Sequence, residues 1–176
     1  AVVINTSTYA THVASVYDAN AQKVVLVATT AGTPSAFVCT ISGTSVSSGT
    51  RVVYGGTNGE ENRITYDANA QKVVVICNYS SAGRARVGTV SGTSISFGTE
   101  TTFNTSTIEE PGIAYDASAQ KVVIAYKNSG NSDYGTAIVG TVSGTDISFG
   151  SSAVYNSSSV GQNSVVYDAS TQQVVI

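Results

Sequence analysis

An all-β fold of repeated four-stranded antiparallel sheets is what this sequence predicts, on three observations. The phrase YDANAQKVV begins at Tyr17 and again at Tyr66, with YDASAQKVV at Tyr115 and YDASTQQVV at Tyr167. A second marker, SGT, begins at Ser42, Ser91 and Ser143, always 24 residues before the next Tyr-Asp. Between the markers, short runs rich in Val, Ile, Tyr, Phe and Thr alternate with clusters of Gly, Asn, Ser and Asp, and no run carries a helical period.

The second unit shows each element in order. RITYD is a first strand, closed by an Asp that can accept backbone N–H bonds from the turn just ahead. This turn role is the reading for Asp18, Asp67, Asp116 and Asp168, with Lys23, Lys72 and Lys121 expected to neutralise the acid across the hairpin. After the link ANAQ comes KVVVICNY, almost wholly Val and Ile, the pattern of a strand covered on both faces. SSAG leads to a third strand, RARVGTV, and SGT to a fourth, SISFGTETTF. Links this short join antiparallel neighbours, and Gly43, Gly92 and Gly144 read as turn glycines. The longer stretch NTSTIEEPG, 104–112, suits a crossing from the outermost strand of one unit to the innermost of the next. The third unit is three residues longer, and the excess falls within KNSGNSDYGT.

A repeat of 49 to 52 residues with four strands is the signature of a β-propeller blade. Strand one would then line a central channel and strand two would lie between neighbouring blades. A β-solenoid or a row of separate small sheets is the competing arrangement. On the propeller reading, 1–9 is the outer strand of a preceding blade; 13–56, 62–105 and 111–156 are blades; and 163–176 supplies the first two strands of another. The 15 strands amount to a fragment of about 3.5 blades. The remainder of its own chain, or further copies, would complete the ring.

Composition narrows the function classes. Charged residues are 11% of the 176, net charge is −3, and 47 residues are Ser or Thr, a hydroxyl-rich surface often found outside cells. The basic patch of a nucleic-acid binder is absent, and no apolar run is long enough to span a membrane. Cys39 and Cys77 fall inside strands and read as buried, inert thiols. No cofactor is expected.

In blade length and in the Tyr-Asp that closes strand one, the units resemble kelch and galactose-oxidase blades, without a kelch blade's paired glycines. The wording from YDANAQKVVV to VGTVSGTSISFGTETTFN resembles repeat arrays of bacteriophage tail and fibre proteins, notably marine ones, and of large bacterial surface proteins. The resemblance covers nearly the whole chain. It implies a virion or extracellular surface setting, with attachment to a host glycan or surface receptor.

The repeats differ most after strand two and before strand one, segments that a meander brings to one face. Unlike loops on a rigid scaffold are where recognition is expected. This face is expected to offer Tyr79, Tyr126 and Tyr134 as stacking rings, or else as rings that merely cap the core, and Arg84, Arg86, Asn128 and Asp133 as hydrogen-bonding partners, a mixture suited to adaptable binding. Asn78 and Asn131 belong to the same set. Five residues before each Tyr-Asp stand His12, Glu61, Glu110 and Gln162, placed by this reading in the loop before strand one. Glu61 and Glu110 join the candidate ligand-binding set, and they are the only acids a glycosidase reading could use. The Glu60-Glu61 and Glu109-Glu110 pairs lack the alternating spacing of a calcium loop, so no metal site is expected. A non-enzymatic attachment segment is the leading expectation, and a purely structural tail, fibre or surface-layer repeat is the alternative.

Overall fold

The computed structural model describes residues 10–176, so the reading of 1–9 as an outer strand lies outside the described residues. Three antiparallel sheets follow one another along the chain. The first holds β1 (Ala10–Asp18), β2 (Lys23–Thr30), β3 (Thr33–Ser42), β4 (Ser45–Ser48) and β5 (Val52–Val53). The second holds β6 (Glu60–Asp67), β7 (Lys72–Tyr79), β8 (Ala82–Ser91), β9 (Ser94–Phe97) and β10 (Thr101–Asn104). The third holds β11 (Ile108–Asp116), β12 (Lys121–Asn128), β13 (Tyr134–Ser143), β14 (Asp146–Phe149) and β15 (Ala153–Ser159), and a hairpin of β16 (Val166–Asp168) and β17 (Gln173–Val175) comes last.

The expected fourth strand is broken in two. β4 and β5 both pair with β3, β9 and β10 with β8, and β14 and β15 with β13. Each break begins at a glycine whose N–H is bonded across the sheet: Gly49 to the Val38 carbonyl at 2.9 Å, Gly98 to Val87 at 2.9 Å, and Gly150 to Val139 at 3.0 Å. The three extra residues of the third repeat form a 3-10 turn, Ser129–Asn131, capped by the Asn128 side chain.

The turn chemistry matches the sequence. The Asp18 and Asp67 carboxylates accept the N–H groups of Ala21 and Ala70 at 2.9 Å, and Asp116 accepts those of Ser118 and Ala119. Gly43, Gly92 and Gly144 have φ of 56°, 61° and 63°. Lys23, Lys72 and Lys121 do lie opposite Asp18, Asp67 and Asp116 in register, but no ion pair joins them among the described residues. The carboxylates are turned toward the backbone instead. Asp67→Ala should therefore lower the unfolding free energy by about 1 kcal/mol, measured by chemical denaturation; an unchanged midpoint would remove the turn role.

The cores lie between the sheets. Val25, Val27, Ala36, Val38 and Tyr54 of the first sheet pack on Ile64, Val73, Val75, Cys77 and Ile95 of the second. Val74, Ile76, Ala85, Val87 and Phe103 of the second pack on Val122, Ile124, Tyr126, Ile138 and Ile147 of the third. Alternate residues of one strand face opposite neighbours, so β7 is buried on both sides and reads as a continuous apolar run. Each fully buried Val or Ile contributes roughly 1.5–3 kcal/mol, and nearly all of that is realised only when a second sheet is present. The first strands also meet in succession: β1 contacts β6, β6 contacts β11, and β11 contacts β16. The Tyr of the repeated phrase ties one sheet to the one before: Asn20 N–H donates to the Tyr66 hydroxyl and Asn69 N–H to that of Tyr115, both at 3.2 Å.

Candidate functional site

Antiparallel topology puts the β2–β3, β7–β8 and β12–β13 loops at one end of the sheets, together with the links that enter β6 and β11. The invariant Asp turns and S-G-T turns lie at the other end. On the first of these ends is a cleft of about 340 Å³ between the first two sheets. It is lined by Thr11 and His12 of β1, Thr29 and Gly32 around the β2–β3 turn, and Asn58, Gly59 and Glu60 where the chain enters β6.

His12, Glu61 and Glu110 lie inside the first strands, where the sequence reading had placed them in preceding loops. At each, the pairing register slips: between Thr11 and Ala14, between Glu60 and Arg63, and between Glu109 and Gly112. The three residues adopt left-handed backbone, with φ of 50°, 56° and 49°. This is a β-bulge, and a side chain in that conformation costs on the order of 1 kcal/mol. Three copies of the same strain at one repeat position re-aim three polar side chains along the edge formed by the first strands. Burial raises the Glu61 carboxyl above its ordinary value; Arg63 and His12 oppose that, while Glu110 and Glu60 add to it. His12 of the first sheet and Glu110 of the third thus each act electrostatically on Glu61.

Tyr79, Arg84 and Arg86 do come together, but around an internal acid that the sequence reading missed. Arg84 Nη1 donates to Glu100 Oε1 at 2.8 Å, and Arg86 Nη2 to Oε2 at 3.3 Å. The Tyr79 hydroxyl also donates to Oε2, and the Arg84 guanidinium stacks 4.6 Å from the Tyr79 ring centre. Burial and the adjacent Glu100 push the Tyr79 phenol up to about 12. Both guanidinia are therefore engaged within their own sheet. In the first sheet Arg51 occupies the place of Glu100 and Ser35 that of Arg84, and Arg51 Nε donates to Ser35 Oγ at 2.8 Å.

Tyr126 is 1% exposed and packs edge-on against Phe103, ring centres 5.6 Å apart. Its ring fills the space between the second and third sheets and has no face to offer a ligand, which corrects its place in the candidate set. Asn128, Asp133 and Tyr134 do sit at the variable end, half-buried around the enlarged β12–β13 loop. Asn128 Oδ1 accepts the Gly130 N–H at 3.1 Å, Asp133 lies 3.5 Å from Lys127 Nζ, and Lys127 is paired with Glu109 at 2.9 Å. Cys39 and Cys77 are buried free thiols, and burial, with Glu100 nearby, pushes Cys77 up to about 12.

Beneath the cleft runs a buried relay that sequence reasoning also missed. The Tyr54 hydroxyl donates to Asn62 Oδ1 at 2.6 Å, Asn62 Nδ2 to Thr29 Oγ1 at 2.8 Å, and Thr29 Oγ1 to the Gly59 carbonyl at 2.6 Å. One repeat position recurs as Tyr54, Phe103 and Tyr155, and another as Asn62, Pro111 and Asn163. Tyr stands with Asn and Phe with Pro, a signal readable from the aligned repeats. Tyr54→Phe leaves the wholly buried Asn62 carbonyl without its donor and should cost about 1–2 kcal/mol, whereas Phe103→Tyr adds a hydroxyl with no Asn to receive it. Denaturation midpoints that do not move in Tyr54→Phe would show the relay to be inert.

Compared with known proteins, the chain matches no protein family and no curated sequence.

Proposed function

We propose that the sheets are propeller-type blades of a virion appendage or cell-surface protein that attaches to a glycan or surface receptor through the end bearing the unlike loops. The observation that carries this reading is the cleft between the first two sheets. Its lining is polar (Thr11, His12, Asn58, Glu60) and falls at positions that vary along the repeats, though Glu60 recurs as Glu109, while the strands that frame it are repeated. A rigid frame with divergent loops is the usual division of labour in a binding module. Inter-sheet cores and successive inner strands support the blade arrangement.

The test is a glycan array probed with the chain, followed by calorimetry on any hit. Glu60→Gln should weaken binding roughly tenfold with the unfolding midpoint unchanged, and Asn58→Gly, which keeps the left-handed backbone at φ 56°, should weaken it similarly. Absence of binding to any glycan or receptor preparation would sink the attachment reading. One observation favours the structural alternative: Tyr79, Arg84, Arg86 and Tyr126 are all committed to internal contacts, as in a repeat that serves only as a spacer.

A further inference from the structure

The outward face of the third sheet repeats, position for position, two faces that are already covered within the chain. Val38 and Val87 are 1% and 0% exposed, yet Val139, their successor, is 46% exposed. Tyr54 and Phe103 are 3% and 8% exposed, and Tyr155 is 41%. The covering element in the first two cases is the next sheet, whose S-G-T turn seats against the glycine where the edge strand breaks. A Cβ on Gly49 would lie 1.9 Å from the Thr93 carbonyl oxygen, and one on Gly98 would lie 1.9 Å from that of Thr145. At Gly150 the nearest such atom is the Val139 oxygen of its own sheet, at 3.9 Å. The seat is built and, among the described residues, empty.

The inner part of the same face is occupied by β16 and β17. A Cβ on Gly112 would lie 2.7 Å from the Val165 side chain, and Asn163 Nδ2 donates to the Glu110 carbonyl at 2.9 Å. β17 pairs only with β16, so its other edge is unpaired among the described residues. In the three full sheets the residues equivalent to Val174 are Val24, Val73 and Val122, and each pairs with a third-strand residue: Cys39, Gly88 and Gly140.

We propose that this face docks a β-hairpin of the same kind as β13–β14: a ten-residue and a four-residue strand joined by a Ser-Gly-Thr turn. The hairpin adds to the free edge of β17 by backbone pairing, covers Val139 and Tyr155, and seats its turn on Gly150. Continuity with the two covered faces fixes that occupant. A whole second copy cannot dock by its own first sheet, because β1 and β2 would fall where β16 and β17 already lie. The inference concerns packing between sheets and is independent of ligand attachment, so either can fail alone.

The test titrates the chain with a synthetic peptide of residues 134–150, read by calorimetry and by amide exchange. Saturable one-to-one binding with a dissociation constant below about 1 mM, with slowed exchange of the β17 amides, is expected. Gly150→Ala meets open space in the free chain, so its unfolding midpoint should hold while peptide affinity falls at least ~tenfold. No binding at millimolar peptide, or equal binding to Gly150→Ala, would overturn the proposal. So would self-association of the chain that Gly150→Ala abolishes, since a second copy would then be the occupant.

Discussion

Gly98→Ala should lower the unfolding free energy by at least ~3 kcal/mol, the upper end for overpacking, while Gly150→Ala at the same repeat position should stay within about 0.5 kcal/mol. Neither glycine has a positive φ, so backbone strain does not separate them. The difference lies in the neighbour. A methyl group on Gly98 would sit 1.9 Å from the Thr145 carbonyl oxygen and 2.8 Å from its carbon, both backbone atoms. That carbonyl cannot swing aside, because Thr145 follows Gly144 at φ 63° in the turn between β13 and β14. Gly98 cannot retreat either, being bonded to the Val87 carbonyl at 2.9 Å. The two sheets must separate, which loosens the Phe103–Phe149 contact (ring centres 5.4 Å apart) and the 3.1 Å bond from the Thr101 hydroxyl to the Ile147 carbonyl. Gly49→Ala should behave like Gly98→Ala, because Thr93 stands in the same relation to it. Equal, small costs at all three glycines, measured by urea denaturation, would refute this account of how the sheets stack.

Those glycines mark the limit of what could be read from the sequence. The Asp turns and S-G-T turns were legible because their chemistry is local: the acceptor and the N–H groups it satisfies lie within a few residues. The double-sided burial of β7 was legible from its unbroken run of Val and Ile. The break in the fourth strand was not, because the reason for Gly98 lies 47 residues away, in the turn of the next repeat. The bulges escaped for a different reason. Left-handed backbone is usually announced by Gly or Asn, and here the positions hold His12, Glu61 and Glu110. Tyr126 could have been placed correctly: its repeat equivalents are Ala28 and Cys77, small apolar residues at a core position, so a large ring there fills a gap. Glu100 carried no comparable hint, since Arg51 and Ser152 occupy its place elsewhere and reverse or remove the charge.

Glu100→Ala should cost about 2–4 kcal/mol near pH 7, because it strands two partly buried guanidinia. The side chains of Arg84 and Arg86 are 24% and 31% exposed, Glu100 is 19% exposed, and Arg86 Nε is already buried without a hydrogen-bond partner. Burial pushes the Glu100 carboxyl up, but hydrogen bonds from Tyr79 and Arg84 and the charges of Arg86 and Arg84 outweigh it and hold the carboxyl below its ordinary value of 4.5. A depressed folded-state value fixes the sign. The stability that Glu100 contributes is fully present above about pH 4.5 and is lost as pH falls through the lower, folded-state value. The gap between wild type and Glu100→Ala should therefore be widest near neutrality and close in acid. Glu109, Asp116 and Asp168 are also held low, but they titrate alike in both proteins and cancel in the comparison. Glu100→Gln retains an acceptor for Tyr79 and Arg84 without the charge, so it should fall between the two at neutral pH, and its gap to Glu100→Ala should not vary with pH. A difference between wild type and Glu100→Ala that is as large at about pH 3 as at about pH 7 would mean that packing, and not the carboxylate, holds Arg84 and Arg86 in place.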